Sequence, residues 1–167
     1  MGTDVRNGLV VGPTEAQSSV GGPLPTSHKL ESGQTGGAAF AFTGMIEPGS
    51  LVPPHTHARE DEITYILEGE MTVELGSDIS SASAGAVIWK PRGVRHAQWN
   101  ATKTPVRYFE VVTPAGLEGF FMEVGRLTES DALQVEAVMA ASRKYGIEFD
   151  MEHGAELGAR FNLRPPA

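Results

Sequence analysis

Residues 49–69, GSLVPPHTHAREDEITYILEG, form the stretch that decides the fold of this chain. His55 and His57 are two positions apart, and because the side chains of a β-strand alternate between its faces, both imidazoles point to the same side. Glu62 follows a short polar connection and begins a second strand, EITYIL, which returns beside the first. Two imidazoles and a carboxylate from neighbouring strands form a nitrogen and oxygen site suited to a divalent metal ion.

The chain around this hairpin is predicted to contain many short strands, separated by turns that contain Gly and Pro. Their number and spacing predict an all-β domain, either a β-sandwich or a small barrel. We predict an extended N-terminal arm at 1–37, the β-domain at 38–114, a helical segment at 115–151 and a surface tail or intersubunit strap at 152–167. In the helical segment, Thr128 or Ser130 is predicted to cap a helix that stops at Gly146. His28, among turn-forming residues of the arm, is predicted to lie at the surface.

A second stretch, residues 85–100 (GAVIWKPRGVRHAQWN), supplies a candidate fourth ligand in His96. The two stretches match, at every fixed position and spacing, the two motifs of the cupin superfamily, which this sequence strongly resembles. The matching residues are Gly49, His55, His57, Glu62 and Gly69 in the first motif, and Gly85, Pro91, Gly93, His96 and Asn100 in the second. The resemblance implies a double-stranded β-helix, or jelly-roll barrel, with short C-terminal helices and with one metal inside.

The predicted ligands are His55, His57, Glu62 and His96. Four protein ligands on an octahedrally inclined ion leave up to two positions for water, substrate or dioxygen, which is typical of a catalytic rather than a structural metal. Three imidazoles and one carboxylate suit divalent Fe, Mn, Ni, Co, Cu or Zn, and the ligand types alone do not choose among these metals.

The composition narrows the possible partners and the location. The formal net charge of −8 argues against a nucleic-acid or anionic-membrane surface. The chain has no cysteine, which excludes disulfides and thiolate ligands. Its first residues contain no long apolar run, so neither a signal peptide nor a membrane span is expected, and we predict a cytoplasmic protein.

Residues in phase with the ligands are predicted to line the interior near the metal and to contact the substrate. They are Phe42, Thr64, Ile66, Trp89, Gln98 and Phe109. This lining is mainly apolar, and we expect no cluster of Arg or Lys in phase with the ligands. Such a pocket beside a metal favours an aromatic, flavonol-like or polyketide-like small molecule that chelates the metal through adjacent oxygens.

The segment after the barrel also favours an aromatic substrate. Residues 114–125 (PAGLEGFFMEVG) and 144–149 (KYGIEF) resemble the C-terminal region of quercetin-dioxygenase-like single-cupin proteins. In that group a flavonol binds the metal and dioxygen opens its ring, so the resemblance implies a dioxygenase with Glu62 as both ligand and catalytic base.

Two other functions remain open from the sequence. One is a non-redox cupin of secondary metabolism, such as a polyketide cyclase, isomerase or dehydratase, in which Glu62 or a bound water moves protons. The other is a small-molecule-binding module without catalysis. A homodimer is also predicted, because the apolar outer face of EITYIL, with Ile63, Tyr65 and Leu67, would otherwise be exposed to solvent.

Overall fold

A computed structural model describes residues 8–21, 25–128 and 135–164. Strands account for most of the described secondary structure. They are β1 (Ser18–Val20), β2 (Thr26–Leu30), β3 (Phe40–Ile46), β4 (Leu51–His57), β5 (Asp61–Glu68), β6 (Glu70–Leu75), β7 (Asp78–Ser83), β8 (Val87–Lys90), β9 (His96–Trp99), β10 (Val106–Thr113) and β11 (Ile147–Phe149). The helices are α1 (Ser32–Thr35), α2 (Glu118–Thr128), α3 (Val135–Lys144) and α4 (Met151–Phe161).

The strands form two antiparallel sheets that share one hydrophobic core. The six-stranded sheet has the order β1-β2-β3-β10-β5-β8, and the five-stranded sheet has the order β11-β4-β9-β6-β7. Phe42 and Ile66 of the first sheet and Val52 and Met71 of the second belong to the same buried cluster. Two ligand-bearing strands, β4 and β9, therefore lie in one sheet, and the third, β5, lies in the other. The prediction that the Glu62 strand pairs with the His55 and His57 strand in a hairpin is wrong, because β4 pairs with β9 and β11 while β5 pairs with β10 and β8. The mostly β architecture with short helices agrees with the sequence prediction.

The side chains of β5 point alternately to the interior and to the outer surface of the domain. Glu62 and Thr64 are buried, whereas Ile63 is 40% exposed and Tyr65 is 43% exposed. Residues directly opposite each other in an antiparallel pair share a face. Lys90 of β8 pairs with Glu62, so its side chain also points inward, where it is 3% exposed.

The predicted N-terminal arm contributes β1 and β2 to the edge of the six-stranded sheet, while residues 1–7 lie outside the described part. The prediction that His28 lies at the surface is wrong. Its side chain is fully buried, and its ring packs edge-to-face against Phe40 with centroids 4.7 Å apart. The Nδ1 atom of His28 lies 2.9 Å from Ser18 Oγ and 3.2 Å from Glu31 Oε1, which links β2 to β1. Burial lowers the pKa of His28, although Glu31 opposes this.

The C-terminal segment contains more helix than predicted. The helix expected after Thr128 or Ser130 corresponds to α3, and Gly146 follows it with φ of 74°, as a stop signal requires. The prediction that Thr128 could cap this helix is wrong, because Thr128 is the last residue of α2. Ser130 lies outside the described residues.

Residues 152–161, predicted as part of a tail, instead belong to α4. Asp150 caps this helix by accepting a hydrogen bond from the His153 N–H at 3.0 Å. A Cβ at Gly154 would lie 3.3 Å from Pro54 Cδ, so glycine permits the close contact between α4 and β4. No helix in the described residues is long and apolar enough to cross a membrane.

Candidate metal centre

The structure brings the four predicted ligands together. His55 and His57 lie on β4, Glu62 on β5 and His96 on β9, and all four side chains are buried. One potential ligand atom from each residue lies within 4.8 Å of the others. The imidazoles of β4 and β9 approach Glu62 from the facing sheet, so the site depends on the packing of the two sheets.

Backbone carbonyl groups orient two of the imidazoles. His55 Nδ1 lies 2.7 Å from the Pro53 carbonyl oxygen, and His96 Nδ1 lies 3.1 Å from the Val94 carbonyl oxygen. A carbonyl oxygen can only accept a hydrogen bond, so Nδ1 must carry the proton in both rings. The Nε2 atom of each ring then keeps a free lone pair for a metal.

His57 has a different neighbour. Its Nε2 lies 3.5 Å from Glu62 Oε1, and its Nδ1 lies 3.7 Å from Glu60 Oε2. Both ring nitrogens and Glu60 Oε2 are buried and have no hydrogen-bond partner among the described residues. Metal-ligating histidines commonly donate their second N–H to a carboxylate, and Glu60 is placed for this role.

The unpaired atoms fit a metal ion. Besides the nitrogens of His57, His96 Nε2 makes no hydrogen bond of good geometry to any described residue, although Glu62 Oε2 is 3.1 Å away. Buried polar groups are rarely left unpaired, and a metal would satisfy these lone pairs. Burial lowers the pKa of His55 well below its usual value and also lowers the pKa of His96. Neutral imidazoles are the form that binds metals.

A buried ion-pair network adjoins Glu62. Lys90 Nζ lies 2.9 Å from Glu62 Oε2 and 3.1 Å from Glu110 Oε1. The ammonium also donates a hydrogen bond to Gln98 Oε1 at 3.2 Å, and the Thr64 hydroxyl donates to Glu110 Oε2 at 2.9 Å. The network connects three neighbouring strands, β8, β5 and β10, with β9 of the other sheet.

Burial favours the neutral form of each group in this network, and the ion pairs oppose it. Burial would raise the pKa of Glu62, but Lys90 and the neighbouring ligand imidazoles outweigh it and hold that pKa well below its usual value. Burial would lower the pKa of Lys90, but Glu110 and Glu62 raise it. Burial, with help from Glu62, raises the pKa of Glu110 to about 7 although Lys90 pulls it down. Glu62 and Lys90 are therefore charged at neutral pH, where Glu110 can exchange a proton.

A cavity of about 50 Å³ lies between this network and the helices. Since one water molecule needs roughly 10–15 Å³ on this measure, the cavity has room for roughly three to five. Its lining combines the charged network with apolar and aromatic side chains. The lining residues are Phe42, Val52, His55, His57, Glu62, Lys90, Gln98, Tyr108, Glu110, Leu117, Phe120, Phe121, Ile147 and Phe149. Leu117, Phe120 and Phe121 come from the start of α2 and the turn before it, so α2 forms part of the cavity wall.

The predicted substrate contacts divide into three groups. Phe42 and Gln98 line the cavity. Thr64 and Ile66 point inward and are fully buried, but they lie in the packed interior. Trp89 and Phe109 were predicted to face the interior, and this prediction is wrong. Trp89 is 62% exposed and pairs with the outward-facing Ile63, and Phe109 pairs with the outward-facing Tyr65.

Sequence reasoning missed two charged residues inside the domain. We expected no Lys or Arg cluster in phase with the ligands, and a single lysine, Lys90, is in phase and lines the cavity with Glu110. The strand VIWK suggests the opposite phase, because Trp89 is apolar and Lys90 is charged. Only the pairing of β8 with β5, which places Lys90 opposite Glu62, could have identified the inward face.

Comparison with known proteins agrees with this fold. The family model for the cupin domain matches residues 42–112. A germin-like protein of Arabidopsis thaliana, subfamily 2 member 2, is 41% identical over 63 residues, which cover 35% of this chain and 29% of that protein. Oxalate oxidase GF-3.8 of Triticum aestivum is 32% identical over 107 residues, covering 54% of this chain and 48% of the wheat protein. The chain spans about half or less of the length of these curated relatives.

Solved structures support the same fold. A predicted oxalate decarboxylase from Thermotoga maritima has a TM-score of 0.58 at 24% identity, with 64% of this chain and 99% of that chain covered. A Klebsiella pneumoniae protein with a double-stranded β-helix domain has a TM-score of 0.51 at 20% identity, with 60% of this chain and 84% of that chain covered. Residues 42–112 therefore match a cupin domain, and these structures support the double-stranded β-helix fold. These relatives do not support the expected resemblance to quercetin dioxygenases.

Proposed function

We propose that this protein is a metal-dependent enzyme in which His55, His57, Glu62 and His96 bind one divalent transition metal. The observation that carries the proposal is the convergence of four buried ligand atoms, within 4.8 Å of one another, from both sheets. Lone pairs without hydrogen-bond partners on His57 and His96 support it. The adjoining cavity leaves room beside the ligands for a small molecule.

A bound metal would supply a Lewis acid, or a redox partner, to a substrate oxygen. The protein side chains then have separate roles. Glu62 was predicted to be both ligand and base, but its lowered pKa makes it a weak base. Glu110 lines the same cavity, and its pKa of about 7 suits proton exchange at neutral pH. The aromatic side chains of Phe120 and Phe121 on α2 give the cavity an apolar wall.

We favour an oxidoreductase that uses dioxygen, because an oxalate oxidase is among the relatives and the predicted ligand set leaves coordination positions open. Oxygen consumption tests this directly. The protein should be loaded separately with manganese, iron or zinc and supplied with oxalate and with other small acids. Oxygen uptake that requires a redox-active metal supports the proposal, and full turnover by the zinc form without oxygen would contradict it.

The cavity is small compared with the aromatic, flavonol-like or polyketide-like substrate expected from the sequence. A cavity with room for roughly three to five water molecules is several times too small for a flavonol. Such a substrate would fit this cavity only if the side chains that line it moved apart. A small substrate requires no such movement, and we therefore favour it.

A non-redox enzyme is the second candidate, and the Lys90–Glu110 pair is the observation that favours it. A buried ammonium and a carboxylate of raised pKa beside a Lewis acid suit an isomerase or dehydratase that moves protons. Turnover by the zinc form in the absence of oxygen is the result that this alternative predicts. Tight small-molecule binding without any turnover would indicate the third possibility, a binding module.

We also propose that the protein forms a homodimer through the outer face of the six-stranded sheet. Ile63 pairs with Trp89, and Tyr65 pairs with Val87, so these exposed apolar side chains form one continuous patch. The patch includes Val87 and Trp89 of β8, which lies at the edge of the sheet. Large exposed apolar patches commonly mark interfaces, and a second copy would cover this one. The cytoplasmic location stays a prediction from the sequence.

A further inference from the structure

The strand that carries His55 and His57 changes phase just before these two residues. Val52 belongs to the interior core, and it lines the cavity together with both histidines. Side chains two positions apart share a face of a strand, so strict alternation from Val52 would place His55 and His57 on the outer face. In the pairing of β4 with β9, three steps along β4 from Val52 to His55 match only two steps along β9. The extra residue makes a β-bulge, and the bulge turns the two ligands inward.

Two prolines occupy the bulge, and their carbonyl groups have different partners. Pro53 and Pro54 have no N–H to donate to β9, so the ladder is interrupted at these two positions. The Pro53 carbonyl oxygen accepts the hydrogen bond from His55 Nδ1 at 2.7 Å. The Pro54 carbonyl oxygen accepts a hydrogen bond from the Asp150 N–H at 2.8 Å. The bulge therefore connects a ligand imidazole to the residue that caps α4.

Helix α4 also packs directly on the bulge. A Cβ at Gly154 would lie 3.3 Å from Pro54 Cδ and 3.7 Å from Pro53 Cβ. Carbon atoms in contact prefer a separation of about 3.5–4.0 Å, so an added Cβ would displace either the helix or the bulge. Leu157 of α4 packs in one buried cluster with Trp99 of β9, which holds the helix against the outer face of the five-stranded sheet.

Strand β11 contacts the same ligand strand just before α4 begins. It pairs antiparallel with β4, and Ile147 lies opposite His57. Phe149 lies opposite His55, and the centroids of the two rings are 5.3 Å apart. Since Asp150 follows β11 and caps α4, the strand and the helix together hold β4 from the bulge to its end.

We propose that α4 is a positioning element for the metal centre and that Gly154 is the positioning residue through which it acts. The helix holds the bulge at Pro53 and Pro54, the bulge sets the phase of β4, and this phase directs His55 and His57 to the metal. The inference rests on the proposed metal centre and extends it to a helix on the opposite face of the sheet.

Gly154→Ala and Gly158→Ala form a matched pair of variants. Both replace glycine by alanine within α4 and raise its helix propensity alike. A Cβ at Gly158 would lie 3.4 Å from the Leu163 carbonyl oxygen and would meet no atom of the bulge within 4 Å. Each variant is titrated with cobalt, whose visible absorption reports the geometry of its ligands. Gly154→Ala should weaken cobalt binding by about 10-fold and change the absorption spectrum, because a displaced bulge misaligns the imidazoles of β4, whereas Gly158→Ala should match the wild type.

Amide hydrogen exchange in the wild-type protein tests the same coupling without a substitution. Coupling between two sites is reciprocal, so a helix contact that favours metal binding is itself stabilised by the bound metal. Exchange is measured by NMR in the metal-free and the zinc-loaded protein. Zinc should slow the exchange of the Asp150 amide, which donates to the Pro54 carbonyl, by about 5-fold or more. The Gln34 amide, which donates to the Glu31 carbonyl in the N-terminal arm, should exchange at the same rate in both forms.

The outcomes distinguish this inference from the metal centre on which it rests. If Gly154→Ala and Gly158→Ala have the same cobalt affinity and the same spectrum, the inference alone is overturned. An Asp150 amide whose exchange does not respond to zinc would also overturn it. A less stable metal-free Gly154→Ala protein with the wild-type cobalt spectrum would assign Gly154 to the stability of the fold and not to positioning. A wild-type protein that binds neither cobalt nor zinc would overturn the metal centre and the inference together.

Discussion

Removing the Lys90 ammonium should destabilise the metal-free protein strongly. Lys90→Met leaves Glu62 and Glu110 without the cation that lies 2.9 Å and 3.1 Å from their oxygens, in a site where Lys90 is 3% exposed. Breaking a buried ion pair from one side costs about 3–5 kcal/mol, because the remaining charge is uncompensated. Without Lys90 the pKa of Glu62 rises from its lowered value, and Glu110, whose pKa is already about 7, takes up a proton. We therefore expect a loss near the lower end, about 3 kcal/mol.

Urea unfolding of the metal-free protein at neutral pH, followed by the fluorescence of the buried Trp99, measures this loss. The double variant Lys90→Met/Glu110→Gln should be more stable than Lys90→Met, because one of the two unpaired carboxylates is gone. Lys103→Met is the matched control and should change the free energy of unfolding by no more than about 0.5 kcal/mol. If Lys90→Met lowered the free energy of unfolding by less than about 1 kcal/mol, the ion-pair network would not stabilise the protein as described.

Three further predictions address other parts of the molecule. Glu60→Gln should weaken metal binding by about 10- to 100-fold, because Glu60 is placed to orient His57. Competition with a chelator measures the metal affinity, and an unchanged affinity would exclude that role. Stability of the metal-free protein should fall as pH decreases through 6.5, since burial lowers the pKa of His28 and the unfolded chain then binds more protons than the folded one. Urea unfolding at several pH values should show that the stability of His28→Gln depends less on pH. An unchanged pH dependence would mean that other groups cause it. Trp89→Glu should convert the proposed dimer to a monomer in light scattering at micromolar concentration, and a wild-type monomer would remove the dimer proposal.

The ligand set was predictable from the sequence because it depends on local spacing. His55 and His57 share a face through the two-residue period of a strand, and Glu62 follows in the adjoining strand of the other sheet. His96 required the second motif, since nothing local indicates that β9 lies beside β4. These four positions are fixed by short-range geometry and by a resemblance that covers the middle of the chain.

The inward-facing charges were not predictable from hydrophobic pattern alone. In β8 the pattern favours burying Trp89 and exposing Lys90, whereas pairing with Glu62 gives the reverse arrangement. A buried lysine is stable there only because two carboxylates from β5 and β10 meet it, and those contacts join residues far apart in sequence. Helix α4 was predicted as part of a surface tail, and the structure shows that Gly154 lets it pack closely against Pro54 of β4.

The metal content of the wild-type protein and of His57→Ala tests the central claim most directly. Purified metal-free protein is incubated with manganese or cobalt, freed of excess ion and analysed for metal, while circular dichroism checks the fold. We predict one ion per chain for the wild type, and far less than one for a His57→Ala variant that remains folded. A folded wild-type protein that retains no metal, or a His57→Ala variant that retains as much as the wild type, would contradict the proposed metal centre.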